Sequence, residues 1–177
     1  SQGPFADGAV TLVGCFGDDA GNVSVARLAL TVDTQAPVAR VSVDNGATFS
    51  TDTTVDVNVS DAADVVAALF AEGAVNCATA TLVPFDRAVT PTVSLSSAGP
   101  DGARTVTGCF ADRAGNRSSA SDSILLDRAD PTGSLSVAGG AAFVRGVPGR
   151  PTDAVDVNVD VIGASADVVA VAVGVPD

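Results

Sequence analysis

A short segment near the start of the chain returns later with almost the same residues. Residues 14–22 read GCFGDDAGN and residues 108–116 read GCFADRAGN. Cys15 and Cys109 are therefore displaced by 109 − 15 = 94 residues. Self-similarity over this distance indicates a tandem repeat whose unit is a domain rather than one turn of a solenoid. A domain copied in tandem usually sets length, spacing or valency, so the repeat favours a structural role over catalysis.

The repeat predicts one complete copy flanked by two partial copies. Residues 7–33 match residues 101–127, so the amino end carries the last third of a first copy. The sequence VDVNV at residues 55–59 recurs at residues 155–159, so the carboxyl end carries the first half of a third copy. The expected domains are residues 1–34, 35–128 and 129–177. The rest of each partial copy is expected to lie outside this chain.

The composition is acidic and lacks several residue types on which catalysis depends. The formal net charge is −12, the chain contains no His, Tyr, Trp or Met, and all 9 basic residues are Arg. Nucleic acids and anionic membranes require a basic footprint, so neither is expected as a partner. Without His or Lys there is no Ser-His-Asp triad, Schiff-base lysine or histidine metal site. We therefore expect no enzyme, and no membrane insertion, since no apolar run is long enough to span a bilayer.

Apolar residues alternate with polar ones in several short segments of the complete copy. Valines alternate in residues 41–43 and 55–59, which is the period of half-buried β-strands. Further strands are predicted at residues 65–70, 80–85, 92–96, 104–111 and 123–126. The Ala-rich stretch 62–74 also fits a helix, but its valines and its position between strands favour a strand. About seven short strands separated by Gly, Pro, Asn and Asp predict an all-β, antiparallel sandwich.

Three motifs follow one another at defined points of this copy. Asp101-Gly102 precedes a strand, DRAGN occupies residues 112–116, and ILLD at residues 124–127 is followed by Pro131. In this order they resemble bacterial immunoglobulin-like repeats, and the first copy shows the same pattern. The resemblance implies tandem immunoglobulin-like sandwiches in a long extracellular or cell-surface protein. The chain departs from the family where many repeats bury a Trp, because it has no Trp and places Cys77 near that point.

The residues shared between the copies have structural explanations. Gly115 and Asn116 are predicted to adopt the positive φ of a tight hairpin turn, and Asp112 to cap that turn by accepting bonds from backbone amides. Alternation in the preceding strand turns Phe110 inward, and Gly108 leaves room for a neighbouring side chain. These residues are expected to shape the fold rather than to bind a ligand.

The resemblance also implies a disulfide pairing. In an immunoglobulin-like sandwich the strand ending near Cys77 pairs with the strand that carries Cys109, so a disulfide is expected between neighbours in one sheet. The alternative is two free thiols. Cys15 is equivalent to Cys109, and its partner is expected outside this chain; otherwise it is a free or intermolecular thiol. Paired cysteines indicate an oxidising compartment.

Acidic residues cluster at the predicted turns and junctions. Asp33 and Asp127 close their copies, and Asp130 lies in the link before a proline. Asp112 begins the DRAGN turn at residues 112–116, here called the late turn. Ca²⁺ takes six to eight oxygen ligands, which carboxylates and turn carbonyls supply, so these residues are candidate calcium ligands. The alternative is that they are solvated turn residues, and no other cofactor is expected.

Three non-catalytic functions fit these features. The leading hypothesis is a structural or adhesive stalk, in which sandwiches joined by short proline-containing links hold something away from a bacterial surface. The second is a filament subunit, in which the late strands of one chain complete the early strands of the next. The expected partners are neighbouring repeats or copies of this chain.

The third hypothesis is a ligand-binding adhesin or an accessory module. The inserted loop 145–151, with Arg145 and Arg150, is the candidate patch for a protein or glycan ligand. An insertion that the fold simply tolerates is the alternative explanation for this loop.

Overall fold

The computed structural model describes residues 5–137, 140, 159–164, 168, 170 and 171. Strands dominate this part of the chain, which includes the short 3-10 turn Asp44–Gly46 and contains no α-helix. In the same residues, no helix is long and apolar enough to cross a membrane. The chain divides into two compact units, Ser1–Arg128 and Ala129–Asp177.

Ten strands lie in the first unit. They are β1 (Gly8–Gly17), β2 (Val23–Val32), β3 (Arg40–Val43), β4 (Phe49–Ser50), β5 (Thr54–Ser60), β6 (Ala67–Glu72), β7 (Val83–Pro84), β8 (Thr92–Ser94), β9 (Gly102–Ala111) and β10 (Arg117–Leu126). β1 and β2 form a two-stranded antiparallel sheet. The other eight form a five-stranded sheet in the order β4-β10-β9-β6-β7 and a three-stranded sheet in the order β3-β5-β8.

The core of β3–β10 is built from valines of one sheet and apolar residues of the other. Val43, Val55 and Val57 of the three-stranded sheet pack against Val106 and Ile124 of the five-stranded sheet, and all five are buried. Alternation places these residues on one face of each strand. Two mainly antiparallel sheets that pack face to face across one core are consistent with a β-sandwich.

A second buried cluster consists of Phe110 with Ala62, Val65 and Ala68. The Phe110 ring lies 5.8 Å from the ring of Phe70 in an edge-to-face arrangement, which aromatic pairs prefer. A Cβ atom on Gly108 would lie 2.7 Å from the Phe110 ring and 3.0 Å from a methyl group of Val41. The prediction that Gly108 leaves room for its neighbours is therefore confirmed.

The Ala-rich stretch 62–74 contains a strand, β6, as its valines and position predicted. Other segments differ from the prediction, which did not include β4. Of residues 80–85 only Val83–Pro84 form a strand, at the edge of the sheet. β10 begins at Arg117 rather than at residue 123, because its serine-rich first half also pairs with β9. The prediction missed this half because it has no apolar pattern.

The hairpins β1–β2 and β9–β10 share one register. Gly8 pairs with Val32, and 94 residues later Gly102 pairs with Leu126. Both hairpins consist of two strands of ten residues. The sequence match between residues 7–33 and 101–127 is thus also a match in backbone pairing.

The second unit contains a short antiparallel pair. β11 (Ser134–Val137) pairs with β12 (Val159–Ile162), with Leu135 opposite Val161. Most of the recurring sequence at residues 155–159 lies outside the described residues. The expected three-domain division therefore stays a prediction, although one expected boundary lies where the two compact units meet.

Candidate functional site

The disulfide joins Cys77 to Cys109, with 5.2 Å between their Cα atoms. Cys109 lies on β9, and Cys77 lies in the connection that follows β6, the strand paired with β9. The expected disulfide is therefore confirmed, and it joins β9 to the connection that follows its neighbour β6. Cys109 is completely buried although alternation places it on the outer face of β9. The clasped connection covers it there.

Arg117 fixes the connection that carries Cys77. Its Nη1 atom donates to the carbonyl oxygens of Cys77 and Ala80, each at 2.8 Å. Arg117 is the first residue of β10, directly after the late turn. Arg117 therefore ties the start of β10 to the connection that carries the disulfide.

The late turn is closed by the carboxylate of Asp112. Its Oδ1 atom accepts from the backbone amides of Gly115 at 2.8 Å and Asn116 at 2.9 Å. Its Oδ2 atom accepts from the Asn116 side-chain amide at 2.9 Å. Burial raises the pKa of the Asp112 carboxyl, but the hydrogen bonds from Asn116 and Gly115 together hold it below its usual value of 3.8.

Only one of the two predicted positive φ angles occurs in this turn. Gly115 has a φ of 94°, whereas Asn116 is not among the described residues with positive φ. The prediction for Asn116 was wrong, because this residue closes the turn through its side-chain amide, which donates to Asp112, and not through a positive φ. The equivalent turn of the first hairpin uses the same device, with Asp18 accepting from Asn22 at 2.8 Å. The Asn22 side chain, followed by backbone amides, lowers the pKa of the Asp18 carboxyl.

Asn116 also reaches the link between β2 and β3. Its Nδ2 atom donates to the carbonyl oxygen of Asp33 at 3.1 Å, a contact between residues 83 positions apart. Within the link the Asp33 carboxylate accepts from the amide of Gln35 at 3.1 Å. Pro37, four residues after Asp33, is fully buried. The link is therefore held at both ends against the body of β3–β10.

A carboxylate clamps the open end of each hairpin. Asp7 accepts from the backbone amide and the hydroxyl of Thr34, at 3.1 and 2.9 Å. At the equivalent positions Asp101 accepts from the amide of Arg128 at 2.6 Å and pairs with its guanidinium at 2.7 Å. Sequence reasoning missed these clamps. The recurrence of Asp-Gly before each hairpin was the available signal.

The candidate calcium ligands do not share one site. The Asp112 carboxylate is engaged by its own turn, and Asp33 approaches that turn through its backbone carbonyl. Asp127 donates its amide to the carbonyl of Ser50 at 2.9 Å. No three acidic, His or Cys side chains converge within the described residues. Calcium binding stays a prediction, as does Asp130 as a ligand.

Cys15 has a free thiol and is exposed. It occupies on β1 the position that Cys109 occupies on β9. The surrounding hairpin is also exposed, and its contacts among the described residues are almost entirely between its own two strands. The expectation that the partner of Cys15 lies outside this chain therefore stays open.

An apolar groove lies beside the edge strand β7. Its lining includes Phe70, Phe85, Val89 and Pro91, and Asp86 is its single titratable side chain. The candidate loop residues Arg145 and Arg150 lie outside the described residues.

No protein-family model matches this chain, and no curated protein matches it either. The resemblance to bacterial immunoglobulin-like repeats consequently stays a prediction from its sequence motifs.

Proposed function

We propose that this chain is a non-catalytic spacer segment of an extracellular or cell-surface bacterial repeat protein. In this role, immunoglobulin-like units set a distance and resist bending or extension. The contact that carries the proposal is the one between Asn116 and the Asp33 carbonyl, at 3.1 Å. It fixes the link before β3 to the turn after β9. The chain therefore enters the complete copy, here called the middle repeat, at a fixed position.

Three further features of the link support stiffness. Pro37 is buried and its ring fixes its own φ. Asp7 accepts two hydrogen bonds from Thr34 at the other end of the link. A flexible linker would instead leave its proline on the surface.

The disulfide supports both the compartment and the mechanical role. Disulfides persist in oxidising environments such as the periplasm and the cell exterior. The bond between Cys77 and Cys109 closes a segment with a sequence separation of 32. Under tension the closed segment does not extend, so the middle repeat gains less length when it unfolds.

Single-molecule pulling on the full chain, held at its two ends, tests this proposal. The middle repeat should unfold in a discrete step. In reducing buffer that step should lengthen by about 110 Å, from the 32-residue separation at about 3.4 Å per extended residue. A Cys77→Ala variant in oxidising buffer should show the same longer step. Smooth extension without a discrete step would contradict a mechanical spacer.

A binding role for the loop 145–151 makes a different prediction. A chain lacking this loop would lose its retention on an immobilised protein or glycan ligand while keeping its pulling behaviour. Full retention after the deletion would leave the spacer as the better account.

A further inference from the structure

The hairpin β1–β2 presents an apolar face that its counterpart β9–β10 buries. Phe16 is 61% exposed, whereas Phe110 at the equivalent position is 0% exposed. Leu12 is 37% exposed, whereas its equivalent Val106 is 0% exposed. Contiguous exposed apolar surface on a soluble protein commonly marks an interaction site. The equivalent apolar surface is therefore buried in the hairpin β9–β10 and exposed in the hairpin β1–β2.

The hairpin also offers an unpaired strand edge. β9 pairs with β10 on one side and with β6 on the other, where Leu69 lies opposite Cys109 and Phe70 opposite Gly108. Within the described residues, β1 pairs with β2 alone. The edge of residues 12–17 corresponds to the part of β9 that receives β6. Unpaired strand edges are templates for the addition of another strand.

We propose that the β1–β2 hairpin is a docking site for a protein strand of the β6 type that carries a downstream cysteine. The strand adds antiparallel to the edge of residues 12–17, and its cysteine forms a disulfide with Cys15. In the middle repeat Cys77 lies eight residues after Leu69, the residue opposite Cys109 (77 − 69 = 8). The partner is therefore an extended strand of mostly small apolar residues that includes an aromatic residue. Its cysteine follows, by eight residues, the residue that lies opposite Cys15. This role goes beyond that of a spacer.

A second copy of this chain does not have that chemistry. The chain has 3 cysteines, at positions 15, 77 and 109. Cys77 and Cys109 are bonded to each other, and residues 129–177 contain no cysteine. The occupant is accordingly the early half of a further repeat that brings its own cysteine.

The covalent step is a thiol–disulfide exchange. The incoming cysteine arrives as a mixed disulfide with a small thiol such as glutathione. The Cys15 thiolate attacks the sulfur of that cysteine, the new disulfide forms, and the glutathione thiolate leaves and takes up a proton. The incoming mixed disulfide is the oxidant in this step, so no other oxidant is required. Exposure of Cys15 provides the access that this attack requires.

The test uses a synthetic peptide with the sequence of residues 64–81, whose cysteine is glutathionylated, added to the full chain. A control peptide carries Leu69→Pro, which disrupts strand pairing while keeping the cysteine. With peptide at about 0.1 mM and an effective concentration of about 1 mM once docked, the native peptide should react about tenfold faster. Peptide mapping by mass spectrometry should place the bond at Cys15.

A double substitution tests whether the peptide docks in the β6 position. In the middle repeat the rings of Phe70 and Phe110 are in contact. Phe16→Ala in the chain and Phe70→Ala in the peptide should each reduce the rate advantage, and together they should reduce it no further than either alone. Phe16 is exposed, so the variant hairpin should keep its circular dichroism spectrum.

Two results would overturn the proposal. Equal rates for the native and the Leu69→Pro peptides would show that Cys15 is merely an accessible thiol. A Cys15–Cys15 dimer that forms in preference to the peptide adduct would show that the hairpin prefers a second copy. Neither result would affect the pulling behaviour on which the spacer role depends.

Discussion

Removing the disulfide by Cys77→Ala should destabilise the middle repeat by about 3.7 kcal/mol. In the chain-entropy account, the cross-link restricts the unfolded chain according to the length of the closed loop. The sequence separation between the two cysteines is 32, and that length gives this magnitude at 25 °C. The corresponding fall in Tm is more than about 10 °C for a domain of this size.

Cys77 is the better position for this substitution because it is only partly buried, whereas Cys109 is completely buried. After Cys77→Ala, the Cys109 thiol remains in place and fills its volume as a small apolar side chain. The measured loss then reports the cross-link rather than a new cavity. Cys15→Ala removes an exposed thiol and should change stability by less than about 0.5 kcal/mol, which makes it the matched control.

The assay is urea unfolding followed by far-ultraviolet circular dichroism, since the chain has no Trp or Tyr to report by fluorescence. All variants carry Cys15→Ala so that disulfide exchange does not occur. Because the cross-link restricts the unfolded state, its loss should also increase the urea m-value. A destabilisation below about 1 kcal/mol with an unchanged m-value would refute the chain-entropy reasoning.

Three other substitutions, two of them with a matched control in the first hairpin, test packing and the late turn. Phe110→Ala should cost about 3 to 5 kcal/mol because the ring is completely buried, whereas Phe16→Ala at the equivalent exposed position should cost less than about 1 kcal/mol in dilute chemical denaturation. Gly108→Ala should cost about 1 to 3 kcal/mol because its Cβ would lie 2.7 Å from a buried ring, whereas Gly14→Ala meets an exposed ring at 3.3 Å and should be milder in the same assay. The pKa of Asp112 is lowered in the folded state, so its stabilisation should be present above about pH 3.8 and lost as pH falls through the folded value. Thermal unfolding from pH 7 to pH 2 should therefore show a smaller loss of Tm in Asp112→Asn than in the unsubstituted chain, and parallel curves would contradict this assignment.

The strands that the sequence predicted best are those with one buried face. Residues 55–59 alternate valine with polar residues, and β5 places those valines in the core. The first half of β10 was missed because residues 118–121 read SSAS, which has little apolar alternation. That segment is a strand because β9 provides a complete row of backbone partners for it. Tertiary pairing there determines the structure more than local pattern does.

The candidate site shows the same division between local and distant interactions. Asp112 capping its own turn spans four residues, and the Asp and Gly types at that spacing predicted it. The bond from Asn116 to Asp33 joins residues 83 positions apart, and no local pattern encodes it. The Asp122 carboxylate likewise accepts from the amide of Val43 at 2.9 Å across 79 positions. Such contacts depend on how the elements pack, which periodicity does not reveal.

Backbone ¹⁵N relaxation of the link tests the central claim that the entry to the middle repeat is stiff. The amides of Thr34, Gln35 and Ala36 report on this segment, since Pro37 has none. A held link predicts order parameters near 0.85, like those of rigid backbone, and a decrease at these amides when Asn116→Ala removes the bond to Asp33. Order parameters below about 0.6 in the unsubstituted chain would show a flexible tether and contradict the spacer account.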